Sequence, residues 1–181
     1  MSNVAAPEGP VDAEVVDSSD STTSQTEQAQ NKVKTHCWWA MGAGLIPVPG
    51  LDLAAVFAAQ IKLIKDLSDH YGVAFSEHRA KNLIGPLISS VGADKLLTGS
   101  ISSLLKAIPG LGTIGGAAGM SVVAGASTYA LGKVFVQHFE SGGNLLDFDP
   151  AKMKSFFASQ YEQGVQEAKA MKASGKAPAK A

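Results

Sequence analysis

The sequence predicts an all-α fold: a helical bundle built around a central apolar helix rich in glycine and alanine. Apolar residues recur at helical spacing in several segments, whereas strand patterns are scarce. One long stretch, Ala107 to Gly132, contains no charged residue and consists largely of small residues. A chain of 181 residues with 45% hydrophobic residues is long and apolar enough for one folded domain.

The composition of both ends predicts flexible tails around this domain. Residues 1–34 are rich in Ser, Thr, Glu, Gln and Asp and contain hardly any large apolar group. Such a segment cannot bury enough surface to offset the entropy of ordering, so we expect disorder. Residues 164–181 are rich in Ala, Lys and Gly and are expected to be flexible after a helix. The predicted helical domain therefore spans 35–163.

Helix-breaking and capping residues divide the first half of the domain. A short helix is predicted from Cys37 to Ile46, and the following helix is predicted to end at Gly72. A helix opened by Ser76 is expected to kink at Pro86. The residues predicted to stop the first helix or to cap the second are Pro47, Pro49, Gly50 and Asp52.

The second half contains two further helix boundaries. A short helix over 100–107 is expected to stop at Pro109 and Gly110. Asp149, followed by Pro150, predicts the cap and first position of a last helix, since proline is favoured where the backbone amide needs no partner.

The uncharged stretch carries small residues at helical spacing, a pattern that lets another helix approach closely. The residues expected to make this contact are Gly112, Gly115, Gly116, Gly119, Ser121 and Gly125. Because a lone helix of this composition inserts only marginally into a bilayer, a companion is needed, and Cys37 to Ile61 is nearly uncharged. Two interpretations remain open: a membrane-inserted hairpin, which we prefer, and the packed central helix of a soluble bundle.

Composition and motif spacing argue against several functions. A net charge of −1 and a single arginine, Arg79, argue against nucleic-acid binding. Cys37 is the only cysteine, which excludes an intramolecular disulfide and a multi-cysteine metal site. Scattered histidines and the lack of a phosphate-binding loop motif predict a non-enzymatic protein without cofactor or metal. A candidate docking loop, or alternatively a well-specified turn, comprises His138, Phe139, Glu140, Gly142 and Gly143.

Several long strings of the sequence resemble one bacterial domain family. They are Gly44–Asp52 (GLIPVPGLD), Ala107–Gly112 (AIPGLG), the run from Tyr129 through Gly143, and Leu145–Pro150 (LLDFDP). The family is the YcjF-like, GTPase-associated domain family, which has no assigned function. Its members occur alone or joined to a GTPase domain and are commonly described as membrane proteins. The resemblance covers about 39–163.

The resemblance implies a helical protein at the bacterial inner membrane or its cytoplasmic face. Because this chain has no GTPase half, it would recruit or regulate a GTPase in trans. One alternative is a soluble, cytoplasmic scaffold that forms homo-oligomers through the Gly/Ala helix. A less favoured alternative is a membrane-permeabilising protein.

Overall fold

The computed structural model describes residues 18–44, 51–97 and 115–175, with side chains for 23–44, 53–91 and 119–175. Within these ranges the chain is an all-α bundle, as predicted, and contains no strand. Its helices are α1 (Ser18–Ala43), α2 (Leu51–His70), α3 (Glu77–Leu97), α4 (Gly115–Glu140) and α5 (Pro150–Ser174).

Helix α1 begins far earlier than the sequence predicts. It starts at Ser18, so the second half of the segment expected to be a disordered tail is helical. Ala29 and Val33 are fully buried in the core, followed on the same face by Cys37. The polar composition conceals this narrow stripe, because one apolar residue in each turn is enough to hold a helix against its neighbours. Residues 45–50, including the predicted stops Pro47, Pro49 and Gly50, lie outside the described residues.

Helices α2 and α3 follow the predicted segments with changed boundaries. The described part of α2 begins at Leu51, and the side chain of Asp52 lies outside the described side chains, so its role as a cap stays a prediction. After α2, Gly72 has φ +67°, the left-handed conformation that glycine adopts readily. Helix α3 continues through Pro86. The predicted helix over 100–107 lies outside the described residues, as do Pro109, Gly110 and Gly112.

Helix α4 is the apolar centre of the bundle. It extends past Gly132 to Glu140 and packs against α1, α2 and α5. Among the described residues, its Gly119–Glu140 portion is the one stretch long and apolar enough to cross a membrane. Other parts of the protein already bury 78% of the most apolar window of that stretch. Such burial is typical of the core helix of a bundle.

Helix α5 begins where the sequence predicts and ends later. The Asp149 side chain accepts a hydrogen bond from the Ala151 amide, and Pro150 is the first helical residue. The helix runs to Ser174 and buries Gly164, Val165 and Ala168, although the region from 164 onward was expected to be a flexible tail. As in α1, a narrow buried stripe lies within a polar, lysine-rich segment.

Interhelix hydrogen bonds define the directions of the helices. Met41 contacts Ser121 and Thr26 contacts Glu140, so α1 runs antiparallel to α4. Gln60 contacts Ser127, and Tyr71 also contacts Glu140, so α2 runs parallel to α4. One end of the bundle therefore contains the last turn of α1 and the first turns of α2 and α4.

Candidate functional site

Two residues of the predicted small-residue stripe pack against α1. The Ser121 hydroxyl donates a hydrogen bond to the Met41 carbonyl oxygen at 2.9 Å, and the Cys37 thiol donates to the Gly125 carbonyl oxygen at 3.2 Å. A Cβ atom on Gly125 would lie 2.6 Å from Cγ of Met41, closer than real contacts allow. These residues are therefore occupied within one chain and leave no room for a second helix at this point.

The remaining predicted packing glycines lie at the start of α4. Gly115 and Gly116 are in its first turn, and Gly119 is half-buried. The side chains described around them do not identify a packing partner, so their role stays a prediction.

Among the described glycines, Gly164, which the sequence places in the predicted tail, comes closest to the backbone of another helix. A Cβ atom on Gly164 would lie 2.8 Å from the Ala126 carbonyl oxygen and 3.0 Å from the Ala126 Cα, both backbone atoms of α4. Gly132 is similarly enclosed, since a Cβ there would lie 2.6 Å from Cγ2 of Val33. The spacing from Gly164 to Ala168 is itself a small-xxx-small pair, which could have indicated the contact from sequence.

A buried polar cluster links α2 to α4. The Gln60 side chain is 1% exposed, and its Nε2 lies 3.2 Å from the Ser127 hydroxyl and 3.4 Å from that of Thr128. Both hydroxyls donate to the Ala124 carbonyl oxygen, which leaves their lone pairs free to accept from the amide. Because a buried polar group without a partner is costly, these bonds favour one register between the two helices.

The candidate docking loop is held in a hydrogen-bonded turn. His138 Nε2 donates to the Asn144 carbonyl oxygen at 2.9 Å and to Asp147 Oδ1 at 3.1 Å. The Asn144 amide also donates to Asp147 Oδ1, at 2.8 Å. The pKa of Asp147 lies below its ordinary value. The main cause is the hydrogen bond from the Asn144 backbone amide, and the hydrogen bond from the His138 side chain lowers the pKa further. Gly142, with φ +80°, supplies the left-handed conformation that the turn requires.

The other side chains of this loop also serve the turn. Phe139 is buried, and a Cβ on Gly143 would collide with the His138 ring. Glu140 accepts hydrogen bonds from the Thr26 hydroxyl at 2.7 Å and from the Tyr71 hydroxyl at 2.9 Å. These contacts favour the interpretation as a well-specified turn, which ties the end of α4 to α1 and α2.

The cysteine and histidine side chains that could take part in chemistry are buried or hydrogen-bonded within the bundle. Burial raises the pKa of the Cys37 thiol to about 12, and the Glu167 carboxylate adds to the shift. His36 Nδ1 donates to the Lys32 carbonyl oxygen at 3.0 Å, while Nε2 lies 3.1 Å from Asp66 Oδ2. Across the described parts of the chain, no three His, Cys, Asp or Glu residues are grouped to hold a metal ion.

The fold and these contacts define a class of protein: an all-helical bundle whose helices meet at glycines and at buried hydrogen bonds. Residues 14–166 match the protein-family model described as a domain of unknown function (DUF697), and the chain belongs to this family.

One protein with a similar sequence has a descriptive name. The chain is 38% identical over 136 residues to magnetosome membrane protein 22 of Magnetospirillum gryphiswaldense. The alignment covers 75% of this chain and 70% of that protein. No solved structure matches the chain.

Proposed function

We propose that this chain is a non-enzymatic helical protein that associates with the bacterial inner membrane at its cytoplasmic face and acts there with a GTPase in trans. The observation that carries the proposal is the similarity to magnetosome membrane protein 22, which covers 75% of this chain. The name of that relative describes it as a membrane protein. The family is described as having no known function, so the proposal specifies a role that the family description leaves open.

The packing favours association of the intact bundle over a membrane-spanning α4. To meet lipid along its length, α4 would have to lose the neighbours that bury most of it. The exposed face of α2 carries the ion pairs Lys62–Asp66 and Lys65–Asp69, which are costly to place in hydrocarbon. We therefore propose that the folded bundle docks on the membrane.

The GTPase part of the proposal rests on the strings that resemble the GTPase-associated family. One of these strings, Leu145–Pro150, lies in the turn that His138 holds through Asn144 and Asp147. In this turn, Leu146 is 68% exposed, while its amide is held by Asn144 Oδ1 at 2.7 Å. A rigid turn that presents an apolar side chain suits protein–protein contact, because little entropy is lost on binding. We propose that Leu146, which follows the candidate docking loop in the same turn, is the residue that contacts the GTPase.

Cell fractionation tests the membrane part of the proposal. The tagged chain is expected to sediment with membranes, to stay there in high salt and to be released by alkaline carbonate, since a docked bundle has no inserted helix. Retention in carbonate would instead favour an inserted α4. A chain found entirely in the soluble fraction contradicts membrane association and favours the scaffold alternative.

Site-specific crosslinking tests the GTPase part. A photoreactive amino acid at position 146 is expected to crosslink a protein that binds GTP, and Leu146→Glu is expected to weaken the same complex. As a matched control, the photoreactive group at the exposed position of Gln137 on α4 should crosslink that protein much less. Crosslinks only to proteins that do not bind GTP would contradict this part of the proposal.

A further inference from the structure

Exposed apolar side chains concentrate at one end of the bundle. Among the described side chains, six large hydrophobic residues are exposed: Trp39, Leu53, Ile88, Met120, Val123 and Leu146. Four of them, Trp39, Leu53, Met120 and Val123, belong to the end where α1 stops and where α2 and α4 start. We call this the apolar end. Trp39 is 70% exposed, a large fraction for a side chain of its size and hydrophobicity.

The helix register places these four residues at nearly the same level. The bond between Ser121 and Met41 sets the last turn of α1 beside residues 120–123 of α4. Because α2 and α4 run parallel and Gln60 contacts Ser127, Leu53 lies level with Met120. The four side chains thus share one height along the bundle.

The same register shows that the side chains face in different directions. Cys37 and Met41 point from α1 toward α4, so Trp39, between them in sequence, points away. By the same reasoning Val123, between Ser121 and Gly125, points away from α1. The exposed residues therefore form a belt around the end of the bundle and are not gathered in one pocket-like patch.

Charge distinguishes the apolar end from the opposite end. The described residues 37–44, 53–61 and 119–132 contain no charged side chain. The last described turns of α5, which reach this end, carry Lys169 and Lys172, and the nearest acidic residue before them in α5 is Glu167. The opposite end, by contrast, carries ion-paired carboxylates such as Asp69 and Glu77.

We propose that the apolar end is a lipid-docking surface for membranes that contain anionic lipids. In this arrangement the belt of Trp39, Leu53, Met120 and Val123 enters the headgroup region, where tryptophan is favoured. Lys169 meets anionic headgroups, which attract basic side chains near the surface. This inference rests on the proposed membrane association and adds which face of the bundle makes the contact.

Vesicle co-sedimentation of the full chain tests the surface. Wild type is expected to bind phosphatidylcholine vesicles that contain phosphatidylglycerol. The double variant Trp39→Glu/Val123→Glu is expected to bind about tenfold or more weakly, since two apolar groups no longer enter the interface. Leu146→Glu changes an equally exposed apolar residue at the opposite end and should bind like wild type. Circular dichroism verifies that all variants keep the wild-type helix content.

Lys169 and Trp39 provide two further readouts. Lys169→Gln is expected to weaken binding to phosphatidylglycerol-containing vesicles by about fivefold and to leave binding to pure phosphatidylcholine unchanged. In a Trp38→Phe chain, Trp39 is the only tryptophan. Its fluorescence should shift to the blue when vesicles are added and should be quenched by brominated lipids.

The outcomes separate this inference from the proposed function. Equal binding by wild type and by Trp39→Glu/Val123→Glu overturns the docking surface and leaves membrane association intact. A chain that sediments with cellular membranes but ignores protein-free vesicles also overturns it, because the contact would then be a protein. Trp39 fluorescence that is already blue-shifted without vesicles, and that vesicles leave unchanged, would show that another segment of this chain covers the belt. This outcome also overturns the docking surface.

Discussion

At the scale of single residues, the contacts around each glycine decide its role. Gly164 touches the backbone of α4, where no side-chain rotation can make room for a methyl group. Gly42 also lies in a helix, but a Cβ there would meet nothing within 4 Å. The amino-acid type is the same at both positions, and only the packing distinguishes a close-approach residue from a replaceable one.

Gly164→Ala is expected to destabilise the protein by about 1–3 kcal/mol, because the added Cβ forces α4 and α5 apart. The control Gly42→Ala should be neutral or should stabilise by up to about 1 kcal/mol through higher helix propensity. Urea unfolding followed by circular dichroism measures both. Equal stability of the two variants would show that α5 does not contact α4 at Gly164.

Cys37 gives a pH dependence of stability. In the unfolded chain the thiol loses its proton near its ordinary pKa of 9.0, whereas in the folded protein it keeps the proton until about pH 12. The unfolded state therefore releases a proton first, and the free energy of unfolding should fall as the pH rises from about 9 toward 12. Cys37→Ser, which has no thiol to titrate, should show a shallower fall in urea unfolding across this range. The same slope in both proteins would contradict the burial of this thiol.

At the scale of helices, α1 shows how a polar segment joins a core. Its first half is rich in Ser, Thr and Gln, and composition alone places it among disordered sequences. Ala29, Val33 and Cys37 nevertheless form a stripe at four-residue spacing, and each is fully buried against the bundle. A short stripe of this kind is visible in the sequence, but its significance depends on whether a partner surface lies opposite it.

Val33→Asp is expected to destabilise the protein by about 3 kcal/mol or more, because it places a carboxylate in the apolar core beside Gly132. Asn31→Asp adds the same charge two residues away on the exposed face of α1 and should change stability little. Thermal unfolding monitored by circular dichroism compares the two variants. If Val33→Asp were as stable as Asn31→Asp, the early part of α1 would lie outside the folded domain.

At the scale of the whole molecule, the bundle encloses its most apolar helix and exposes polar faces along its sides. Helix α4 contacts α1, α2 and α5 through Cys37, Gln60 and Gly164, respectively. Among the described side chains, the exposed large apolar residues lie mainly at one end. This arrangement permits docking on a membrane without rearrangement of the core.

Amide hydrogen exchange tests that arrangement. The amides of α4 from Ser121 to Val136 are expected to be among the slowest in the chain, because they exchange only when the bundle opens globally. Vesicles should leave their protection unchanged while slowing exchange near Trp39. Faster exchange in α4 on vesicles would show that the bundle opens and that α4 leaves its neighbours for lipid.

The sequence by itself determined the all-α class, the apolar central helix and the start of the last helix at Asp149–Pro150, because each depends on local chemistry: periodicity, composition and capping. Strings such as Leu145–Pro150 also predicted a domain family without an assigned function, and the family shown is the domain of unknown function DUF697, while the GTPase association stays a proposal. Only the tertiary structure decided that residues 18–34 and 164–174 belong to helices of the bundle, and that Ser121 and Gly125 contact α1. The physical reason is that a narrow apolar stripe or a small residue has no preferred environment of its own. Its role depends on the surface that distant parts of the chain bring against it.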